Sequence, residues 1–238
     1  MDAYCNKHQR KKEVCIFENS LHFYCPDCGR EEEERRKKEE AEVLSTGIQK
    51  SINERIENSM LAPRFKEKTF ENFKIENEGQ RKATEAAHWF LENWPRSTGL
   101  ILLGNPGTGK NHLAAAIVHE WVKSPRTALF TEVVKIIRVI KDSWRNKGEA
   151  ESQILKSFLL PDLLIIDEVG VQFGSSTEKL YITEIINDRY NALKPTILIG
   201  NLKIDELKQV IGERAVERFK EGGRVVTFTW DSWRGRDI

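Results

Sequence analysis

Residues 100–111 read LILLGNPGTGKN, and this stretch decides the fold. Four apolar residues, Leu100–Leu103, predict a buried strand, and the run from Leu113 to Lys123 predicts a helix. A strand, a glycine-rich turn and a helix in this order form the context of a phosphate-binding P-loop. We therefore predict that a polyphosphate binds at this turn.

The predicted P-loop supplies both backbone donors and a cation. Its glycines let successive N–H groups point inward at a polyphosphate, and the following helix adds the positive end of its dipole. Lys110 brings a mobile charge to the β and γ phosphates. Asn111 stands where Ser or Thr is usual, so its amide is a weaker candidate ligand for Mg²⁺. The predicted ATP-binding residues here are Gly104, Asn105, Pro106, Gly107, Thr108, Gly109, Lys110, Asn111 and His112.

Composition limits the class of protein. The chain has 238 residues, of which 32% are charged, and a formal net charge of +1, so any nucleic-acid site must be a local patch. No stretch approaches the apolar length of a membrane span, and the amino terminus lacks the apolar core of a signal peptide. We predict a cytoplasmic protein with no membrane partner. In that reducing compartment, four cysteines favour metal binding or free thiols over disulfides.

Beyond the P-loop, strand-like and helix-like runs alternate along the chain. Continuous apolar strands such as LLII indicate burial on both faces, as in a parallel sheet, and the alternation predicts a doubly wound α/β domain. The predicted strands are 100–103, 127–131, 163–167, 196–200 and 225–229. The predicted helices are 79–94, 111–123, 132–146, 178–193 and 204–219.

Composition separates three regions. All four cysteines lie in residues 1–30, which we predict to be a small zinc-binding module. Residues 31–62 are charge-dense and carry apolar residues every four positions from Leu44 to Met60, which predicts a helix with one docking face. This helix, ended by Pro63, is either a solvated linker or a partner-binding helix. Residues 63–238 form the predicted ATPase domain.

Two acidic residues follow a buried strand at LLIIDE, residues 163–168. Ligands of open α/β sheets bind at the carboxyl edge, where these side chains must lie. Asp167 there is predicted to hold Mg²⁺ through its water shell, and Glu168 to polarise the attacking water. Asn201, just after the strand TILIG, is either a residue that positions the water or the γ phosphate, or an ordinary turn asparagine.

Arg214 and Arg218 lie one helical turn apart in GERAVERF. An arginine offered to a neighbouring subunit's nucleotide would neutralise charge in the transition state. The alternative is a pair of surface arginines bound to Glu213 and Glu217. Spacing alone does not separate these interpretations.

Cys5-x2-His8 and Cys25-x2-Cys28 form two pairs with spacings suited to tetrahedral zinc. A region this short has little apolar core without a metal, so we predict a closed, structural Zn²⁺ site. Cys15 and His22 are alternative ligands, and Cys15 would displace His8.

The motifs together resemble one family. GNPGTGKNHLAAAI, LLIIDEVGVQ, LIGNL, GERAVERF and WDSWR, with TFENF (69–73) and GQ (79–80) upstream, are similar to the DnaC-type replicative helicase loaders among the AAA+ ATPases. The resemblance covers residues 65–238 and includes the unusual Asn111. It implies an ATPase that assembles as a homo-oligomer with a hexameric, DnaB-type replicative helicase and places it on single-stranded DNA.

The resemblance also implies residue roles. Lys110 and Asn111 correspond to Walker A, Asp167 and Glu168 to Walker B, and Asn201 to sensor 1. Arg218, rather than Arg214, corresponds to the arginine finger acting in trans. Arg234 corresponds to the sensor 2 arginine, which contacts ATP.

Single-stranded DNA is predicted to contact Trp144, Ser175 and Thr177, which lie in segments matching the DNA-binding parts of such proteins. Trp144 offers a face for base stacking beside Lys141 and Arg145, and the hydroxyls can donate to phosphates. Alternatively, Trp144 packs on the apolar face of its own helix.

Other functions remain as rivals. An ATPase that assists a DNA transposase shares the same core, and the GKN variant and WDSWR ending favour the helicase loader. A small-molecule P-loop kinase needs a lid and a second substrate pocket, whereas the paired arginines favour an oligomeric ATPase. A zinc-finger transcription factor needs basic residues arranged for a DNA groove, which the cysteine region lacks.

Overall fold

A computed structural model describes residues 3–17, 20–145, 151–170 and 176–233. It divides into two compact units, Met1–Ser51 and Ile52–Ile238. The division of function into residues 1–30, 31–62 and 63–238 stays a prediction.

The first unit consists of two small hairpins and most of a long helix. Strands β1 (Tyr4–Cys5) and β2 (Arg10–Lys11) pair antiparallel, as do β3 (Glu13–Phe17) and β4 (Ser20–Tyr24). Helix α1 spans Pro26–Asn58, and its last residues, from Ile52, belong to the second unit. It begins with a proline, as first helical turns favour, five residues before the predicted start at residue 31. It ends at Asn58, before Pro63, which opens a short 3-10 turn at Pro63–Phe65.

The second unit alternates strands and helices, as predicted. In chain order they are α2 (Glu78–Glu92), β5 (Gly99–Gly104), α3 (Lys110–Trp121), β6 (Ala128–Glu132), α4 (Val133–Arg145), α5 (Glu151–Ser157), β7 (Leu163–Asp167), α6 (Ser176–Asn191), β8 (Thr196–Gly200), α7 (Ile204–Ile211), α8 (Glu213–Gly222) and β9 (Gly223–Phe228).

The five strands of this unit form one sheet in the order β6-β7-β8-β5-β9, and every neighbouring pair is parallel. The carboxyl ends of β5, β7 and β8 therefore meet at one edge, where the turn after Gly104, the acidic pair and Asn201 follow. The predicted α/β fold, a parallel sheet flanked by helices, is confirmed.

Both faces of the sheet are covered. Leu100 and Leu102 of β5 belong to a buried cluster shared with α2 and α3, while Ile101 and Leu103 belong to a second cluster shared with α4, α6, α7 and α8. Because successive side chains of a strand point to opposite faces, an unbroken apolar run is required here. This two-sided burial holds the carboxyl edge of the sheet in place.

The predicted helix 204–219 is wrong in one respect, because the chain forms two helices there. Gly212 separates α7 from α8 with a φ of 86°, a left-handed conformation that glycine adopts without strain.

Helix α5 and the hairpins of the first unit were not predicted. No helix within the described ranges combines the length and apolarity needed to cross a bilayer.

One buried cation ties the amino ends of two strands together. Arg189 of α6 is fully buried, and it donates to the carbonyl oxygens of Phe158 (2.8 Å), Pro161 (2.9 Å) and Pro195 (2.8 Å) and to the Thr196 hydroxyl (3.0 Å). Burial lowers the pKa of its guanidinium to about 10, so the group stays charged at neutral pH. Carbonyl dipoles stabilise the charge and fix the loops before β7 and β8.

Candidate nucleotide-binding and metal sites

The turn after β5 has the backbone that a P-loop requires. Gly104 and Gly109 have φ values of 126° and 97°, in the region that side chains disfavour. A Cβ on Gly104 would lie 2.2 Å from the Phe228 carbonyl oxygen, and one on Gly109 would lie 2.9 Å from the Phe73 ring. The glycines are thus needed both for the turn and for close packing against β9 and the segment around Phe73.

Lys110 opens helix α3, and its side chain folds back over the turn. Its Nζ donates to the carbonyl oxygens of Gly104 (2.8 Å) and Asn105 (2.6 Å), and the residue is buried. The Thr108 hydroxyl closes the turn by donating to the Asn105 carbonyl at 2.7 Å. The ammonium group is therefore held within the loop whose N–H groups are predicted to face phosphate.

The acidic pair lies beside the start of α3. Asn111 Nδ2 donates to Asp167 Oδ2 at 2.5 Å, and the Glu168 N–H donates to Asp167 Oδ1 at 2.7 Å. Burial raises the pKa of Asp167, while the hydrogen bonds from the Glu168 N–H and Asn111 and the charge of Lys110 oppose the rise. With the amide nitrogen bound to Asp167, the Asn111 oxygen is the atom suited to a hard cation. These two residues therefore fit the predicted Mg²⁺ site.

Glu168 occupies an unusual backbone position, with a φ of 60°. Such conformations outside glycine are uncommon and cluster at functional sites. Burial raises the pKa of its carboxyl, the charges of Asp167 and Glu132 raise it further, and the charges of Lys135 and Arg64 oppose the rise.

A cavity of about 400 Å³ collects these residues. Pro106, Gly107, Gly109, Lys110, Asn111, His112, Asp167, Glu168 and Asn201 line it, together with four residues absent from the sequence prediction, Arg64, Phe65, Lys68 and Trp233. Asn201 therefore lines the same cavity as the P-loop and the acidic pair, and its role in positioning the water stays a prediction. The four missed residues belong to no phosphate-binding motif. Trp233 lies in the WDSWR stretch, whereas only basic or aromatic character beside the ATPase segment could have drawn attention to Arg64, Phe65 and Lys68.

His112 and the carboxyl-terminal segment border the same cavity. His112 Nε2 lies 2.9 Å from the Thr69 carbonyl oxygen, and burial lowers the pKa of the ring. The Trp230 indole N–H donates to the Thr108 carbonyl (2.9 Å) and the Trp233 N–H to the Gly107 carbonyl (2.9 Å). These bonds attach the WDSW segment to the P-loop. Arg234, the next residue, lies outside the described residues.

Arg218 lies near the amino end of β5, on the side of the sheet opposite to the nucleotide cavity. Its Nη1 donates to Asn187 Oδ1 at 2.7 Å, its guanidinium lies 4.6 Å from the centre of the Tyr190 ring, and its carbonyl accepts from Thr98 at the amino end of β5. Among the described residues, Arg218 does not line the nucleotide cavity of its own chain. In the part of the chain that the structure describes, Glu213 and Glu217 form their ion pairs with Lys208 and Lys220, so the alternative of pairing with Arg214 and Arg218 has no support there.

The predicted DNA-contacting residues are brought together only in part. Trp144 is 53% exposed, its indole N–H donates to Glu151 Oε2 at 2.7 Å, and its ring centre lies 6.3 Å from that of Tyr181. Base stacking and packing on its own helix therefore both stay predictions for Trp144. A cavity of about 180 Å³ lies between α4 and α6 and is lined by Trp144, Thr177 and Tyr181, among others. Ser175 lies outside the described residues.

The first unit brings four ligand-type side chains together. The Sγ atoms of Cys5, Cys25 and Cys28 lie 3.7, 3.6 and 3.3 Å from His8 Nδ1, and the Cys5 and Cys28 sulfurs are 3.6 Å apart. Ligands of a tetrahedral zinc, with bonds of about 2.3 Å to sulfur and about 2.0 Å to nitrogen, have similar mutual spacings. Cys15 and His22 face each other across the β3–β4 hairpin and are not part of this cluster.

Glu31 orients His8 within this cluster. Its Oε1 lies 3.1 Å from His8 Nε2, so the ring presents Nδ1 to the three sulfurs. A carboxylate on the far nitrogen of a histidine is a frequent outer partner at zinc sites. The donor set fits Zn²⁺ by chemistry and spacing.

The strand order, the glycine-rich turn, the acidic pair and Asn201 at one sheet edge define a P-loop ATPase of the AAA+ class. A family model described as "IstB-like ATP binding protein" matches residues 42–235. The chain is 37% identical over 199 residues to the replicative helicase loader DnaC of Escherichia coli (strain K12), a match that spans 83% of this chain and 80% of that protein. It is also 36% identical over 169 residues to DnaC of Buchnera aphidicola subsp. Baizongia pistaciae (strain Bp), covering 70% and 69% of the two chains.

Two solved structures are also similar. A crystal structure of the DnaC helicase loader matches with a TM-score of 0.62 at 25% identity, covering 70% of this chain and 99% of that one. The replication initiator DnaA bound to AMPPCP and single-stranded DNA matches with a TM-score of 0.61 at 28% identity, covering 72% and 52%. The chain belongs to the IstB-like ATP-binding family and to the DnaC-type helicase loaders, so the resemblance seen in the motifs is confirmed. Membership makes it an AAA+ ATPase that uses nucleotide and Mg²⁺.

Proposed function

We propose that this protein hydrolyses ATP in order to load a hexameric, DnaB-type replicative helicase onto single-stranded DNA in the cytoplasm. One observation carries the proposal: in a chain of the DnaC family, the P-loop, the acidic pair and Asn201 line one cavity. The relation to the DnaC family supports helicase loading as the process, and the residues of the cavity support ATP hydrolysis as the reaction that would drive it.

Each residue of the cavity has a distinct role in this proposal. The P-loop residues 104–112 bind the phosphates, with Lys110 turning its ammonium group from the loop carbonyls to the nucleotide. Asn111 and Asp167 hold Mg²⁺, which when bound neutralises phosphate charge. Glu168 accepts a proton from the attacking water, and Asn201 orients that water.

Arg218 acts on the nucleotide of a neighbouring copy. Arg218 lies near the amino end of β5, whereas its own P-loop follows the carboxyl end, and this position supports a role in trans. The contact of its guanidinium with the Tyr190 ring supports the same role. An arginine spreads its charge over a planar fork that suits phosphate oxygens. The homo-oligomer would then complete each active site from two chains, and Arg234 would contact the ATP of its own chain.

Single-stranded DNA binds at the exposed face of Trp144, with Ser175 and Thr177 donating to phosphates. The exposure of Trp144 and the DnaA structure solved with single-stranded DNA support this proposal. Trp144→Ala should weaken single-strand binding and leave ATP binding intact. The matched control is Leu160→Ala, which also removes an exposed apolar side chain from the ATPase unit. Equal DNA affinity of the two variants would contradict the role of Trp144.

The first unit binds Zn²⁺ through Cys5, His8, Cys25 and Cys28 and contacts the helicase. The four-ligand cluster supports a closed structural site. Elemental analysis of the purified chain should give one zinc per chain. Deleting residues 1–51 should abolish helicase binding and spare ATP binding, since Ile52 and Ile56, which pack against the ATPase core, are kept. Retained helicase binding would contradict this assignment.

The test of the function combines two measurements on the full chain. ATP hydrolysis should be stimulated by single-stranded DNA, and the chain should co-purify with a hexameric replicative helicase. The IstB-like family match favours a second candidate, an ATPase helper of a DNA transposase. Stimulation by duplex DNA and co-purification with a transposase, without helicase binding, would support that alternative instead.

A further inference from the structure

The segment between α1 and α2 reaches the nucleotide cavity, although no phosphate-binding motif lies in it. Arg64, Phe65 and Lys68 form one wall of the cavity, and Lys110, Asn111 and Glu168 are on the others. Two cations at this wall add to the charge of Lys110. The cavity therefore offers more positive charge than the P-loop alone provides.

This wall is firmly attached to the ATPase core. The Phe65 ring stacks against Phe130 of β6 with centroids 6.5 Å apart, and the Phe130 N–H donates to the Ser59 carbonyl at 2.7 Å. Downstream, the Thr69 carbonyl lies 2.9 Å from His112 Nε2. Residues 59–69 are thus fixed at one end against β6, which pairs with β7, and at the other end against α3, which begins at Lys110.

Arg64 is held in this wall of the cavity. Its guanidinium lies 4.7 Å from the centre of the Phe65 ring, a cation–π contact that limits the side chain's freedom. Phe65, the next residue in the chain, packs on β6, which pairs with β7 so that Glu132 lies opposite Asp167, the residue before Glu168. Lys68 precedes Thr69, whose carbonyl lies against His112 of α3. The two cations therefore occupy different parts of the cavity, and Arg64 is the one on the Glu168 side.

The Glu168 side is where the terminal phosphate belongs, because the water polarised by Glu168 attacks that group. Asn111 is a poorer ligand for Mg²⁺ than the usual hydroxyl, so additional positive charge is useful at this position. A guanidinium can bind two phosphate oxygens at once, which an ammonium group does less well.

We propose that Arg64 contacts the terminal phosphate of ATP bound to its own chain and gives the cavity a preference for ATP over ADP. This role is separate from that of Arg218, which acts on a neighbouring chain. It rests on nucleotide binding alone and does not depend on the helicase or the DNA.

Equilibrium titration of the full chain with Mg-ATP and Mg-ADP tests the proposal. Arg64→Ala should weaken ATP binding about tenfold, the loss expected for one charge-assisted hydrogen-bond partner, and leave ADP binding unchanged. Arg64→Lys should recover part of the ATP affinity, since it keeps the charge and loses the fork. Lys68→Ala should weaken both nucleotides alike.

Lys66→Ala is the matched control, because Lys66 lies in the same segment, pairs with Glu57 at 2.5 Å and does not line the cavity. It should leave both affinities unchanged. If Arg64→Ala and Arg64→Lys bind ATP as the wild type does, or lose ATP and ADP affinity equally, the proposal is overturned. Thermal unfolding of each variant separates a loss of fold from a loss of contact.

Discussion

The two units of this protein are stabilised in different ways. In the first unit, Cys5 and Cys25 are the only buried apolar residues among those described, and side chains such as Val14, Leu21 and Leu44 are more than half exposed. The second unit buries two large apolar clusters, one on each face of its sheet. A unit without a core depends on a ligand for its fold, whereas the sheet of the ATPase unit is stable before any nucleotide binds.

The difference also separates what the units can do. The ATPase unit presents a preformed cavity on a rigid sheet edge, which suits repeated binding and release of nucleotide. The first unit presents exposed side chains around its cysteine–histidine cluster, which suits contact with another protein. Each prediction below changes one unit and asks whether the other is affected.

The largest effect is expected at the metal cluster. Cys25→Ser should remove zinc and unfold the hairpins of the first unit, because binding free energies of structural zinc reach about 10 kcal/mol. Hydrogen exchange should show residues 4–24 unprotected, while the ATPase unit keeps its protection and its ATP affinity.

Cys15→Ser is the control for this change, since Cys15 is exposed and lies outside the cluster. It should retain zinc and protection. Full protection of the hairpins in the Cys25→Ser variant would mean that the first unit folds without its metal.

The next largest effect is expected in the ATPase core. Arg189→Met should lower the free energy of unfolding of the second unit by about 3 to 5 kcal/mol, because it leaves several carbonyl oxygens before β7 and β8 without their donor. Urea unfolding followed by tryptophan fluorescence measures the loss, and zinc content should not change. Lys194→Met, which removes a single exposed contact with the Leu160 carbonyl, should cost under about 1 kcal/mol. Comparable stability of the two variants would contradict the structural role of Arg189.

A smaller effect, confined to the reaction, is expected at the acidic pair. Glu168→Gln should reduce ATP hydrolysis about 100-fold, the usual contribution of a general base, and leave ATP binding and both folds intact. Steady-state phosphate release and nucleotide titration measure the two quantities. Glu120→Gln, at a half-buried glutamate paired with Lys123 outside the cavity, is the control and should hydrolyse ATP normally. If Glu168→Gln retained full activity, another group would have to act on the water.

Local sequence patterns were sufficient for most of the ATPase unit. The apolar runs placed β5, β7 and β8 correctly because burial on both faces leaves a continuous signal. The glycines and Lys110 predicted the nucleotide site, because this short motif determines both the backbone conformation of the turn and its positive charge.

The rest depends on contacts between distant parts of the chain. Arg64 and Trp233 reach the cavity only because Phe65 packs on Phe130 and the Trp233 N–H bonds to Gly107, and neither contact has a local pattern. The division of the predicted helix 204–219 was missed because Gly212 is tolerated within helices, and only its left-handed φ ends the helix there. In the first unit, the cysteine spacing predicted which four side chains cluster, yet the hairpins have too little periodicity to predict.

The central claim is that a triphosphate binds at the turn after β5, and calorimetric titration of the full chain with Mg-ATP tests it most directly. The wild type should give a saturable signal with one site per chain, and Lys110→Glu should abolish it because charge reversal places a carboxylate against the phosphates. Binding of ATP by Lys110→Glu with wild-type affinity, or no binding by the wild type, would contradict the account.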